Sequence, residues 1–311
     1  MGPDLAEVEI HGIAPLGPEQ AALLDSHSIL NVCNVIAGEL VMLGLTLGNN
    51  PDLFPSSIRL CHALAEGLRD FSKATNSPEL SDSCADRVEE ELGLVTKQHP
   101  ARMIEPSVIE SLRNLREVVG ILRQQADELR SRKRSPERWE SFPTAALRNS
   151  FTVFLSAMER CSHGRYKIAR TPFVKGPRDY YVELDFNSRP EDRFWLPPAF
   201  LDVMGDLTAN ARKYTPPGGW IVASLYQDPA ELRFSVQDSG RGIPSSEIER
   251  VVDFGHRASN VTDIRSLGGG FGLTKAFAVT RKAGGRFWIA SQEGVGTRVR
   301  ITIPRLDFAK N

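Results

Sequence analysis

The hydrophobic period of this chain changes near Pro136, and that change constrains the fold more than any other feature of the sequence. Before it, apolar residues recur three and four positions apart, the spacing of one helix face. Leu23, Leu24, Leu30, Cys33, Val35, Ile36 and Leu40 keep this spacing within Pro18–Leu47. Leu112, Leu115, Val118, Val119, Leu122 and Leu129 keep it within Pro106–Arg134. After Pro136, apolar and polar residues alternate singly, as on a half-buried strand. Leu232, Phe234 and Val236 alternate with Arg233, Ser235 and Gln237, and Val299, Ile301 and Ile303 repeat the pattern. The 311 residues therefore read as two domains, a helical one over 1–136 and an α+β one over 137–311.

In the first part the spacing predicts helices over 18–47, 56–73, 79–96 and 106–134. Gly48-Asn49-Asn50-Pro51 and Pro100 break them, and Pro106 suits a first helical turn. The cations of Arg130–Arg134 suit a helix C-terminus and read as a solvated end. In the second part, helices are expected over 144–161, 198–214 and 273–282, covering one face of a mixed sheet. Its strands are expected over 180–186, 221–226, 231–237, 286–290 and 298–303.

Charge and composition exclude several classes. Lys and Arg number 38 against 39 Asp and Glu, so no net charge draws the chain to nucleic acid or to an anionic membrane. The longest apolar run, Val35–Leu47, falls short of a ~20-residue span and contains Glu39, so no transmembrane helix is expected. The first residues lack the pattern of a secretory signal. Cys33, Cys61, Cys84 and Cys161 are scattered, which suits reduced thiols rather than disulfides or a zinc site. A cytoplasmic location follows as an expectation.

Four polar features punctuate the second part. On the helix over 198–214, Asp206, Asn210 and Lys213 stand four and three residues apart and share a face. An acid, an amide and an amine so placed can hold a hard cation, a water and phosphate. Asp238-Ser-Gly240-Arg-Gly242 follows a strand. A carboxylate there can accept hydrogen bonds from an exocyclic amine while glycines let the backbone approach a flat ring. Gly268, Gly269, Gly270 and Gly272 precede a helix and offer successive amides to an anion. Thr297, opening the last strand, can support Asp238 by bonding the same base.

In this order the features resemble the GHKL ATPase superfamily and, within it, the sensor histidine kinases. Asp206–Tyr214 resembles the N box, Asp238–Gly242 the G1 box, Phe254 the F box position and Gly268–Gly272 the G2 box, over roughly 138–305. The resemblance implies a Bergerat-type α/β sandwich that binds ATP and Mg²⁺. Asn210 would ligate the metal, Asp238 would read the adenine amine with support from Thr297, and Pro244–Leu267 would be a mobile lid. Asp206 stands where the family carries Glu or Asn, and an acid there can orient an attacking group or a hydrolytic water.

A histidine kinase needs a reachable, partly exposed, neutral histidine on a helix. His27, in Asp25-Ser-His27-Ser-Ile-Leu-Asn31, resembles an H box. Asn31 lies one turn on, where it can orient a water or bond the imidazole. Ser28 stands where the family carries an acid, and Val32 where it has proline. His62 is a second, weaker candidate. The resemblance further implies that the N-terminal helices form a dimeric four-helix bundle, and that a response regulator receiver domain accepts the phosphoryl group. No sensor fold is visible before the first helix, so a separate sensor partner is a possible source of input. Two alternatives stay open: a degenerate kinase serving as an ATP-binding interaction module, and a GHKL ATPase releasing phosphate to water.

Overall fold

The computed structural model describes residues 5–68, 77–134, 138–160, 162, 164–197, 199–264 and 270–305. The chain divides into two compact units, one of residues 16–136 and one that joins residues 1–15 to 137–311. The second break, after Pro15, departs from a division into 1–136 and 137–311. Its cause is strand β1 (Glu7–Ile10), which pairs antiparallel with β8 (Arg286–Gln292), Glu7 opposite Ala290 and Ile10 opposite Phe287. The helical unit is thus an insertion between two strands of the other unit.

The helical unit contains α1 (Pro18–Gly48), α2 (Pro55–Gly67), α3 (Ser77–Gln98) and α4 (Pro106–Arg134). Pro18 and Pro55 occupy the first helical positions, where no amide hydrogen is needed. Asn49 ends α1 in the left-handed region (φ 51°), with its N–H on the Leu45 carbonyl. Glu91 accepts from the Ser56 and Ser57 amides at 3.2 and 2.8 Å, satisfying the otherwise unpaired start of α2. Helix α1 packs on α2 and α4, and α3 packs on α2 and α4, so the four helices close a ring around one core. Every apolar residue named above for α4 is buried in that core. Arg116–Glu89, Arg123–Asp86 and Arg130–Asp82 run as a ladder along the α3–α4 seam and mark its antiparallel register. These pairs are largely solvated, so they specify register more than they stabilise.

The four helices of one chain already bury these stripes among themselves. The segment Leu23–Gly48 is, by length and composition, long and apolar enough to cross a membrane, unlike the shorter run read from sequence. Its Ile36, Leu40 and Leu43 are nevertheless buried in the core of the ring. Cys33, Cys61 and Cys84 are free, buried thiols, and Cys61 and Cys84 lie 3.4 Å apart at sulfur; Cys161 falls outside the described residues.

The second unit is a two-layer sandwich. Seven described strands make one sheet in the order β1-β8-β9-β7-β6-β4-β3, from β3 (Ile168–Ala169), β4 (Tyr180–Ser188), β6 (Trp220–Gln227), β7 (Glu231–Asp238), β8 and β9 (Gly296–Pro304) with β1 at its edge. Pairing is parallel at β3–β4 and β4–β6 and antiparallel elsewhere. A second small sheet joins β2 (Glu140–Pro143) to β5 (Arg193–Leu196). Helices α5 (Thr144–Arg160), α6 (Phe200–Tyr214) and α7 (Gly272–Lys282) share a core with the sheet. Phe200, Val203, Met204, Leu207 and Ala211 of α6 are buried, as are Leu232, Phe234 and Val236 of β7. Pro198, read as the start of α6, lies outside the described residues.

Candidate functional site

The start of α7 meets the polar face of α6, and the turn after β7 meets its C-terminal end, where the Arg241 amide donates to the Tyr214 carbonyl at 3.1 Å. Burial of the helix's apolar stripe turns Asp206, Asn210 and Lys213 away from the sheet, each half-buried. Asn210 meets the start of α7: a Cβ added to Gly272 would come within 2.8 Å of Asn210 Nδ2. Glycine at 272 is therefore what allows the end of the glycine-rich segment to rest on the amide. Asp206 Oδ2 is buried, accepts no hydrogen bond and lies 3.3 Å from Lys275 Nζ. Gly268 and Gly269 fall outside the described residues. Gly270, at φ 83°, is in the left-handed region next to the His256 carbonyl.

Asp238 ends β7 opposite Thr297 of β9. Its carboxylate is buried and accepts from the Gly240 amide at 2.7 Å and from the Thr297 amide. Burial pushes its pKa up to about 7, and these two amides only partly offset that rise. Gly242 is held at φ 67°, where a Cβ would run into the Gln292 carbonyl, so this turn needs glycine twice over. Thr297 Oγ1 lies 2.8 Å from Ser291 Oγ, which also accepts from the Ile243 amide at 2.8 Å. Ser291 thus ties the turn after Asp238 to the last strand. Sequence reasoning missed it, since a serine in a strand carries no signal of its own.

Lys213 has its pKa lowered to about 8, first by burial and then by Arg257 and Arg212. The segment expected as a lid, Pro244–Leu267, is described to residue 264 and forms three short 3-10 turns. It is tied down at several points. Arg241 holds Asp263 through two bonds of 2.6 and 2.9 Å, and Asn260 donates to the Gly242 carbonyl at 3.1 Å. Phe254 and Phe271 stack at 4.6 Å, joining this segment to the start of α7.

His27 lies in the helical unit, on α1, and is buried at 4% exposure rather than partly exposed as expected. Asn31 Nδ2 lies 3.4 Å from its Nδ1 and 3.5 Å from its Nε2, as the four-residue spacing predicts. His62 is exposed on α2.

Residues 197–307 match the family described as histidine kinase-, DNA gyrase B-, and HSP90-like ATPase. The chain is 36% identical over 130 residues to sensor histidine kinase WalK of Bacillus subtilis, covering 41% of this chain and 19% of that protein. It is 34% identical over 109 residues to the adaptive-response sensory kinase SasA of Synechococcus elongatus, covering 35% and 28%. The chain therefore spans well under a third of the length of these relatives. Among solved structures, a mycobacterial sensor histidine kinase, MprB, matches 53% of this chain and 97% of that one, at 21% identity and a TM-score of 0.37. Residues 197–307 thus carry a domain of the histidine kinase-, DNA gyrase B-, and HSP90-like ATPase family, and it is to sensor histidine kinases that this part of the chain is similar.

Proposed function

We propose that this chain is a protein histidine kinase of a two-component phosphorelay, binding Mg·ATP in the sandwich and transferring the γ-phosphoryl group to His27. The observation that carries the reading is Asp238: a buried carboxylate, braced by backbone amides at a strand end beside a turn with no room for a Cβ at Gly242. Such a group suits the exocyclic amine of a purine, with Thr297 beside it. Asn210 and Asp206 supply the amide and carboxylate oxygens that fit Mg²⁺ with phosphate, and Gly272 leaves Asn210 its place. Asn210 would hold the ion, which when bound neutralises phosphate charge. Lys213 would contact the phosphates, together with the amides of Gly268, Gly269, Gly270 and Gly272. Asp206 would orient the attacking group. Phosphoryl transfer depends chiefly on positioning and charge, which these residues provide.

A response regulator receiver domain would take the phosphoryl group from His27, with Asn31 placed to orient the imidazole or a water. The relatives' names, sensor histidine kinase and sensory kinase, support this reading. A homodimer, a separate sensor partner and a cytoplasmic location belong to the same proposal. Incubation with γ-labelled ATP is expected to give an acid-labile label that His27→Ala abolishes; acid-stable label, or label that survives the substitution, would overturn the assignment.

A second reading, an ATP-binding regulatory module without autokinase activity, is favoured by the burial of His27 and by Ser28 beside it. Tight ATP binding with no phosphohistidine under any condition would select it.

A further inference from the structure

One buried cation of the sandwich, beside Asp206, has no role in the function proposed above. Lys275 is the fourth residue of α7, and its side chain is 3% exposed. Two forces oppose a lysine there. Burial strips its ammonium of water, and the first turn of a helix presents the positive end of the macrodipole. Its neighbours Thr274, Ala276 and Phe277 are buried too, so the position is one at which an apolar side chain would serve packing better.

The ammonium is held by carboxylates of α6. Lys275 Nζ donates to Asp202 Oδ2 at 3.1 Å and lies 3.3 Å from Asp206 Oδ2. Asp202, Asp206 and Asn210 are four residues apart along α6, so they form one stripe. The stripe runs from the Lys275 ammonium toward Gly272, where Asn210 rests. Exposure rises along the pair: the Asp202 side chain is 8% exposed and that of Asp206 is 20%. Asp206 is therefore the outlet of a buried three-charge stack. Its Oδ2 lies beside the ammonium, so the rotamer of the carboxylate is tied to Lys275.

We infer that Lys275 is a positioning residue for Asp206, fixing the carboxylate that orients the attacking group and coupling α7, which begins at the glycine-rich segment, to α6. This rests on the reading of the sandwich as an ATP site with Asp206 in it. Asp202 anchors the ammonium from the far side, so that the lysine holds its place without depending on Asp206 alone. A stripped carboxylate with no cation would instead turn toward solvent or toward the nucleotide phosphates.

The test uses the full chain and two readouts, ATP affinity by calorimetry with Mg²⁺ and the first-order rate of phosphoryl transfer or phosphate release at saturating ATP. Lys275→Met is expected to leave the ATP dissociation constant within about twofold while the rate falls about 10-fold or more, since loss of a positioned acid or base contributes at least that much. Lys275→Arg, which keeps the charge, is expected to recover most of the rate. A rate equal to wild type in Lys275→Met, or ATP affinity falling as steeply as the rate, would overturn the inference. If Lys275→Met does not fold, Lys275→Gln takes its place under the same criteria. Failure of the wild-type chain to bind ATP would defeat the site itself, and is distinct from a wild type that turns over and a variant that matches it.

Discussion

The two units hold their key side chains in different ways. Asp238 in the sandwich is braced by two backbone amides, with a hydroxyl pair, Thr297 and Ser291, alongside. His27 on α1 has Asn31 one turn away, at the outer limit of hydrogen-bonding distance. The cause is structural. Inside a helix each amide is already bonded to the carbonyl four residues back, so an interior side chain finds no free amide to accept from. A strand end followed by a glycine turn leaves amides free to hold a carboxylate. The sandwich can therefore be rigid before a ligand arrives, which suits recognition of one fixed shape. A histidine inside a helix has no free amide of its own helix to brace it, which suits the proposed role of receiving a phosphoryl group and passing it on.

The sharpest way to break this comparison is Asp238→Asn, which removes the charge but not the shape. ATP affinity is expected to fall by about 10- to 100-fold in calorimetry, the worth of a hydrogen bond to a charged group. Stability should move the other way. Asp238 has a folded-state pKa raised to about 7, so its favourable contribution is complete below pH ~4 and is lost as pH rises through 7. The Asn variant should accordingly melt higher than wild type at pH 8 and lose that advantage toward pH 4. Equal melting temperatures at both values would show that the carboxylate is not strained by burial.

Ile10→Ala tests whether the inserted arrangement matters to the sandwich. Ile10 is 2% exposed and part of the sandwich core, so the truncation should cost about 2 kcal/mol, near the low end for core aliphatics because an edge strand can shift. An unchanged melting temperature of the ATP-binding unit would mean that β1 contributes no packing. A third, smaller effect concerns Lys213, whose ammonium titrates near pH 8. ATP affinity should weaken several-fold as pH rises through that value, and Lys213→Arg should flatten the loss, because a guanidinium stays charged. The smallest effect is expected of Asn31→Ala. Because Asn31 sits at the outer limit of hydrogen-bonding distance from His27, the lifetime of the phosphohistidine should change only a few-fold; a change above about 10-fold would show that Asn31 fixes the ring.

Regular periodicity made most of the scaffold legible. Helix α4 runs from Pro106 to Arg134 as its apolar stripe and terminal proline predict, and β7 and β9 follow their alternation. The N, G1 and G2 segments were readable because each is contiguous. What was hidden depends on distant partners. Glu7–Ile10 is four residues long, and only pairing with β8 makes it a strand. The short β2–β5 sheet depends likewise on residues about 50 apart. The burial of Lys275 has no signal in the sequence, because nothing nearby in the chain announces the carboxylates on α6 that hold it. That one chain closes a four-helix ring was equally unreadable, because an apolar stripe does not say which copy will cover it.

The position of β1 has a consequence for the order of assembly on the ribosome. Its partner strand is translated roughly 280 residues later, so at about 5–20 residues per second the segment waits some 15–60 s before it can pair. During that interval all four helices have been made and can settle. An early strand is thus among the last elements to find its place, and it does so by adding to the edge of the sheet beside β8.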